Sequence, residues 1–272
     1  MYFITLSRKM GANGSEIARQ VVQELRYHFY DTEAIENAAR EMGFLKDVKD
    51  IDGKAPSLFE RIFSSRPQMH LDRLMAVLCE LASRGNALFL GRGSHILLRE
   101  FPRAMHVRVT ASPDKRIENL KGRGFGREAA TRAIRKSDHE RAAFVKFAFG
   151  VDWDNPELYD LVLNMDHLTV PLAADIVTHM ATSEEVKARS MDAMQSLAMM
   201  GLARKAEAAL IEKGFSPPYV SVCAIEPCKL RLTGTVGVPW EKANAETILK
   251  GIQGITSIDN QIQIAAAFSK GA

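Results

Sequence analysis

The chain has 272 residues, of which 46% are hydrophobic and 25% are charged, a composition typical of a soluble globular protein with one or two cores. Its formal net charge of +3 is too small to indicate DNA or RNA as the main partner. No run of about 18 apolar residues predicts a membrane span, and the first residues suggest a strand rather than a signal peptide. The three cysteines are odd in number and form no CxxC pair, which disfavours structural disulfides and favours a reducing compartment, the cytoplasm. A bridge between Cys223 and Cys228 is the one alternative.

The first part of the chain opens with a strand, a glycine-containing turn and a helix. An apolar run over residues 3–7 precedes the turn, and Ile17, Val21 and Leu25 then recur at helical spacing. A second short strand over residues 28–30 leads to Asp31 and Thr32, which are suited to cap the next helix. This order is the opening unit of an α/β fold.

Strands and helices continue to alternate as far as residue 190. Residues 44–67 are polar and broken by glycine and proline, which predicts an irregular insertion. Because strands separated by helices pair in parallel, the sequence predicts one doubly wound α/β domain over residues 1–190. The elements predicted after the insertion are a helix over 69–83, strands over 86–90 and 104–109, a helix from 112, largely helical residues 121–150, a strand over 159–163 and a helix over 171–188.

A smaller α+β domain is predicted over residues 197–267. Its strands alternate polar with apolar residues, which is typical of a sheet with one solvated face. The boundary with the first domain is expected near residues 186–200. The predicted elements are a helix over 191–213, strands over 220–224 and 230–236, a helix over 241–252 and a strand over 258–264.

The loop from Ser7 to Glu16 is the first candidate site. A helix that begins after a glycine-containing turn presents unpaired N–H groups, which favour a phosphate. The P-loop pattern GxxxxGK[ST] is not met, because Gly14 stands at the lysine position and only Ser15 matches. Taken alone, the loop is equally compatible with a turn that binds nothing.

Gly91-Arg92-Gly93 forms the second candidate site, directly after a buried strand. Ligands of open α/β sheets collect beyond the carboxyl ends of the strands, and a guanidinium group offers a two-pronged donor to a phosphate. In the alternative interpretation Arg92 caps a helix or pairs with Glu100.

A run of basic residues over 116–141 is the third candidate site. Phosphoryl transfer needs positive groups and the exclusion of water, and a mobile arginine-rich lid provides both. The same run is equally typical of a solvated helix face. It contains Arg116, Lys121, Arg123, Arg127, Arg132, Arg135, Lys136 and Arg141, with Asp138 among them.

Together these segments resemble the cytidylate kinase-like family, a branch of the P-loop nucleoside monophosphate kinases, over residues 1–185. The resemblance implies a P-loop NTPase-type α/β fold with a five-stranded parallel sheet, ATP and Mg²⁺ as cofactors, and a nucleoside monophosphate such as CMP as acceptor. It is carried by residues 4–8, Gly11, 14–18, 30–31, 90–93, 107–116, 138–141, 152–153 and 159–164.

The resemblance also implies roles for individual residues. Two positions depart from the family pattern: Gly93 replaces an aspartate, and the P-loop lysine is missing. Arg8 or Lys9 is the candidate substitute for this lysine. Ser15 remains within reach of a Mg²⁺, although no other metal ligand is singled out. The roles are donor-phosphate binding for Gly11, Ala12, Asn13, Gly14, Ser15 and Glu16, acceptor binding for Asp31, Arg92, Gly93, Arg132 and Asp138, and catalytic charge for Arg8, Lys9, Arg135 and Arg141.

The second domain resembles a BON domain through residues 220–222, 230–236, 243–248 and 254–260. The resemblance implies an αββαβ fold with a lipid or protein partner, and a passive dimerisation or stability domain is the alternative. Methionines between residues 191 and 200 suit contact with either domain or with a second copy, as in a homodimer. The sequence therefore predicts a phosphotransferase that acts on a nucleoside monophosphate, or alternatively a nucleotide-sensing protein that signals through its BON-like domain.

Overall fold

The computed structural model describes residues 3–44, 67–99, 101, 104–183, 193–216 and 219–265. The predicted insertion between residues 45 and 66, and residues 184–192 at the predicted domain boundary, lie outside these ranges. The chain forms two compact units. The first unit comprises Met1–Ala38 with Arg84–Ala193, and the second comprises Ala39–Ser83 with Met194–Ala272.

A five-stranded parallel sheet forms the centre of the first unit. The strand order is β2-β3-β1-β4-β5, so β1 lies in the middle and pairs with β3 on one side and β4 on the other. The parallel doubly wound fold predicted from the alternation of strands and helices is confirmed. The strands are β1 (Phe3–Arg8), β2 (His28–Tyr30), β3 (Ala87–Leu90), β4 (Ala104–Thr110) and β5 (Leu161–Asn164).

Helices connect these strands, and side chains cap several of them. Asp31 caps the second helix as predicted, since its Oδ1 accepts hydrogen bonds from the amides of Glu33 and Ala34, both at 3.1 Å. Ser112 caps the fifth helix by accepting from the amide of Lys115 at 3.4 Å. The helices are α1 (Gly14–Leu25), α2 (Thr32–Glu41), α3 (Pro67–Ser83), α4 (Ser94–Leu97), α5 (Pro113–Lys121), α6 (Arg127–Phe149) and α7 (Val170–Thr182).

The two faces of the central strands differ in chemistry. One face carries Ile4 and Leu6 of β1 and packs in the apolar core with α1 and α7. The residues that alternate with them are polar yet buried, because successive side chains of a strand point to opposite faces. Thr5 Oγ1 shares a hydrogen bond of 2.7 Å with His106 Nδ1, and Arg108 Nη1 donates to Ser7 Oγ at 2.9 Å.

The C-terminal domain, α8 to β9, has the predicted αββαβ order. β6 and β7 pair antiparallel, and β8 and β9 each pair parallel with β7. The predicted strand over 258–264 is two short strands, because the Asn260 side chain turns the chain by accepting from the Ile262 amide at 3.3 Å and donating to the Lys242 carbonyl at 3.0 Å. The elements are α8 (Ala193–Glu212), β6 (Val220–Glu226), β7 (Lys229–Val236), α9 (Pro239–Lys250), β8 (Ser257–Asn260) and β9 (Gln263–Ile264).

The helix α3 belongs to the second unit, although the sequence predicted it within residues 1–190. Almost every side chain from Met69 to Ala82 is buried, including those of Asp72 and Arg73. A helix that is buried on all sides needs partners around its whole circumference. Whether the two predicted domains fold independently stays a prediction. No helix in the described ranges is long and apolar enough to cross a membrane.

Candidate functional site

Arg8, the last residue of β1, lies across the start of α1. A Cβ atom added to Gly14 would lie 2.5 Å from the Arg8 Cβ, and one added to Gly91 would overlap the Arg8 guanidinium. The side chain therefore extends from the loop that follows β1 to the loop that follows β3. Glycine at both positions leaves the space that this path requires.

Two further arginines lie close to Arg8, and we call Arg8, Arg92 and Arg141 the cationic cluster. The pKa of Arg8 is lowered to about 10, mainly by burial and then by the charges of Arg141 and Arg92, while Asp31 acts in the opposite direction. Arg141 reaches the cluster from α6, where its Nη1 donates to the Arg8 carbonyl at 2.6 Å. Arg92 follows β3, and its Nε donates to Thr32 Oγ1 at 3.2 Å.

Carboxylates act on this cluster only at a distance, Asp31 on Arg8, and Asp138 and Glu140 on Arg141. Neither Arg8 nor Arg141 forms an ion pair with any residue of the described ranges. Burial is also the main cause that lowers the pKa of Arg141. A buried arginine that makes no ion pair is costly, so Arg8 and Arg141 favour a bound anion such as a phosphate group.

The loop between β1 and α1 leaves three amides without a backbone partner among the described residues. Asn13 adopts a left-handed conformation with φ 59°, and α1 begins at Gly14. The N–H groups of Asn13, Gly14 and Ser15 donate to no backbone carbonyl of the described residues. Unpaired amides at the start of a helix, together with the helix dipole, form an anion-binding surface even though the loop has no lysine.

Side chains from α5 and the segment that follows it hold this loop in place. Asn119 Nδ2 donates to the Gly11 carbonyl at 2.8 Å, and Arg123 Nη2 donates to Asn13 Oδ1 at 2.7 Å. Gly11 itself touches α5 so closely that a Cβ would lie 2.8 Å from the Arg116 carbonyl oxygen. The loop conformation is therefore fixed by its neighbours rather than by a bound ligand.

Asp138 lies in an ion pair. Its two carboxylate oxygens accept from both terminal nitrogens of Arg116 at 3.0 and 2.8 Å, and Arg116 is only 4% exposed. A two-pronged pair of this kind fixes orientation as well as charge. Because residues three apart share a helix face, the pair also positions Arg141 on α6.

Lys9 points away from the cationic cluster. Its Nζ lies 3.1 Å from Asp154, which also pairs with Arg108. The Arg108 guanidinium stacks on the Trp153 ring, 3.9 Å from the ring centre. Of the two candidate substitutes for the P-loop lysine, the structure thus places Arg8 at the start of α1 and engages Lys9 elsewhere.

Sequence reasoning assigned no role to Arg108 or Asp154, although Arg108 lies in the segment 107–116 that carries the family resemblance. The available signal was Arg108 itself, a charged residue in the middle of a largely buried strand, which implies a buried partner. Arg132 and Arg135 are exposed on α6, and Arg132 pairs with Glu128 at 3.5 Å. The structure does not bring these two arginines to the cluster.

Consecutive left-handed residues build the second loop of the site. Gly91, Arg92 and Gly93 have φ values of 82°, 60° and 71°. A Cβ on Gly93 would lie 2.7 Å from the Phe149 ring. Glycine at this position is therefore explained by packing, and the backbone strain at Arg92 directs its side chain to Thr32.

Two oxygen groups at the start of α1 suit a magnesium ion. Glu16 Oε2 is buried without a hydrogen-bond partner, whereas Oε1 pairs with Arg123 at 2.9 Å. Ser15 precedes it and is half-buried. In the described ranges no group of three or more His, Cys, Asp or Glu residues could hold a metal. Mg²⁺ commonly takes one or two protein oxygens with waters and phosphates, so these residues fit it.

Comparison with known families gives one match. A model of the Cytidylate kinase-like family matches residues 3–167, a segment that contains the cationic cluster and both loops of the site. The C-terminal domain lies outside the match. No curated protein showed significant sequence similarity to the chain.

Solved structures align with about two thirds of this chain at low sequence identity. An uncharacterized protein from Eubacterium ventriosum is 14% identical, with a TM-score of 0.53, and the alignment covers 68% of this chain and all of that one. Shikimate kinase from Bacteroides thetaiotaomicron is 13% identical with a TM-score of 0.40, covering 66% and 97%. TT1252 from Thermus thermophilus is 17% identical with a TM-score of 0.42, covering 67% and 98%. At these identities the likeness concerns the fold alone.

Proposed function

Because the chain belongs to the cytidylate kinase-like family, we propose that it transfers a phosphoryl group from ATP to a nucleoside monophosphate such as CMP. Family membership supports the coarser statement, a kinase-type phosphotransferase. The observation that carries the proposal further is the path of Arg8. Its buried side chain joins the loop before α1 to the loop after β3 and makes no ion pair with a described residue.

The donor phosphates would bind at the start of α1. The amides of Asn13, Gly14 and Ser15, which donate to no described backbone carbonyl, support this position, and the helix dipole adds to their attraction. Ser15 and Glu16 would hold Mg²⁺, which would neutralise charge on the phosphate oxygens. Arg8 would provide the positive charge of the missing lysine, a role that its buried path beside Gly14 supports.

The acceptor would bind beyond β2 and β3. Arg92 is suited to the acceptor phosphate, and Asp31, whose Oδ1 caps α2, is suited to accept a hydrogen bond from the nucleoside. Arg8 and Arg141 would then lie between donor and acceptor phosphates. They would stabilise the charge that develops on the transferred group, and no covalent intermediate is needed.

The roles of Arg132 and Arg135 in a lid stay a prediction. Both side chains are exposed on α6 and would meet a nucleotide only after that helix moves. The αββαβ order of the C-terminal domain supports the proposal of a BON-like domain with a lipid or protein partner of its own.

Phosphorus NMR with Mg-ATP and a panel of CMP, dCMP, UMP, AMP and GMP tests the activity. We expect ADP and a nucleoside diphosphate to appear together. Arg8→Met should lower kcat by about 10²- to 10³-fold, the loss typical of one charge-stabilising group. The matched control is Arg19→Met, which removes an exposed arginine of α1 that has no proposed role and should leave kcat nearly unchanged. An Arg8→Met variant with normal turnover would rule out this role.

The alternative is a nucleotide-sensing protein, which the absence of the loop lysine favours. Such a protein would bind ATP or a monophosphate with the same cationic cluster but turn neither over. Thermal shift with each nucleotide separates the two cases when it is read beside the NMR assay. Binding without product formation for any acceptor supports the sensor.

A further inference from the structure

Helices α3 and α8 are joined by charged contacts. Arg73 Nη2 lies 2.7 Å from Glu212 Oε2, and Lys205 Nζ lies 3.5 Å from Glu80 Oε2. The Arg73 side chain is buried, with 4% of its surface exposed. Ion pairs that are removed from water resist separation, because a charge left alone there is costly.

Close backbone packing adds to these contacts. A Cβ on Gly201 of α8 would lie 2.8 Å from the Cβ of Cys79 on α3, and both residues are buried. Glycine thus allows the helices to approach at this point. A movement of α8 would therefore be transmitted to α3 rather than absorbed by a loose interface.

The position of α3 in the chain connects this contact to the proposed acceptor site. The segment 39–83 begins within α2, a few residues after Asp31, and ends shortly before β3, the strand that Arg92 follows. The two residues assigned to the acceptor thus flank the segment that packs in one unit with the C-terminal domain.

We propose that the C-terminal domain regulates acceptor binding through the α3–α8 contact. An event that displaces α8 changes the affinity for the acceptor monophosphate and leaves the affinity for Mg-ATP unchanged, because α1 and β2 separate the donor loop from residues 39–83 in the chain. This inference rests on the proposed function of the site. Coupling between two sites is reciprocal, so the acceptor also changes the stability of the α3–α8 contact.

A charge-swap cycle at the Glu80–Lys205 pair tests the coupling. Lys205→Glu and Glu80→Lys each place like charges together, whereas the double variant restores an attractive pair. We expect each single variant to weaken acceptor binding about 5-fold or more by calorimetry, the double variant to recover it, and Mg-ATP binding to stay unchanged. The matched control is Lys250→Glu, which breaks the 2.8 Å pair with Glu246 inside the C-terminal domain.

Equal acceptor affinity in all variants, or parallel changes in acceptor and Mg-ATP binding, would overturn the inference. Hydrogen exchange of residues 30–36 and 88–94 separates its failure from failure of the proposed function. If the wild-type protein binds no monophosphate, the proposed function fails. Hydrogen exchange alone then decides whether the α3–α8 contact is coupled to residues 30–36 and 88–94. Faster exchange in both single variants with recovery in the double variant supports the coupling, and unchanged exchange contradicts it.

Discussion

At the scale of single residues, a substitution at Gly91 tests whether the cationic cluster binds phosphate. Gly91→Ala would place a methyl group on the Arg8 guanidinium. We expect the arginine to move away, since its end is flexible, and phosphate affinity to fall about 10-fold, equivalent to the loss of a charged hydrogen bond. Calorimetry with a nucleotide measures this loss.

Gly124→Ala is the matched control for the change at Gly91. Both glycines have positive φ values, 91° at Gly124 and 82° at Gly91, so both variants carry the same kind of backbone strain. A Cβ at Gly124 would meet no atom within 4 Å. If both variants lose affinity equally, backbone strain rather than the displacement of Arg8 is the cause.

Single residues also show where sequence reasoning reaches its limit. The sequence narrowed the substitute for the P-loop lysine to Arg8 and Lys9 but could not separate them. The difference depends on Asp154, which binds Lys9 from 145 positions away, and on the room that Gly91 leaves for Arg8. Neither fact is visible in local spacing.

At the scale of elements, Asp72 on α3 gives a prediction about pH. Burial is the main cause that raises its pKa to about 7, and Glu207 on α8 adds to the effect. A raised native pKa means that the native state binds the proton more tightly than the unfolded chain. The contribution of Asp72 to stability is therefore complete below about pH 4 and is lost as the pH rises to about 7.

Asp72→Asn should remove the loss of stability that the charged Asp72 causes as the pH rises. We expect the variant to be more stable than wild type by about 1–3 kcal/mol at pH 8 and much less so at pH 4, because its amide carries no charge at either pH. Urea unfolding across this range measures the difference. Asp175→Asn, at an exposed position of α7, is the control. A stability difference that does not vary with pH would contradict the assignment to Asp72.

The spacing of apolar residues and the capping residues predicted the bounds of most helices and strands closely. The strand predicted over 104–109 is Ala104–Thr110, and the helix predicted over 69–83 is Pro67–Ser83. What periodicity could not show was the environment of α3. Its predicted apolar face is real, but Asp72 and Arg73 are buried as well, because their partners lie on α8, more than a hundred positions later.

At the scale of the whole molecule, removing α8 tests how far the two predicted domains are independent. The sequence predicts that a chain ending at Ser190 stays folded. The structure leads us to expect that its five-stranded sheet persists while α3 loses the partners of Arg73 and Glu80. Such a chain should unfold at lower temperature and be cleaved first between residues 39 and 83.

Limited proteolysis and thermal unfolding measure both effects. Co-expression of residues 193–272 as a separate chain is the control, and it should restore the protection of α3. Resistance of α3 to protease in the shortened chain, with an unchanged melting temperature, would show that the first domain is complete without α8.

The pairing of α3 with α8 also has a consequence during synthesis on the ribosome. Arg73 and Glu212 are 139 residues apart in the chain. At 5–20 residues per second, Arg73 is synthesised about 7–28 s before its partner Glu212. During that interval the side chains of α3 lack their native partners on α8. We therefore expect the nascent chain to depend on chaperones until α8 is synthesised, and ribosome-bound chains arrested before residue 193 to show this dependence most strongly.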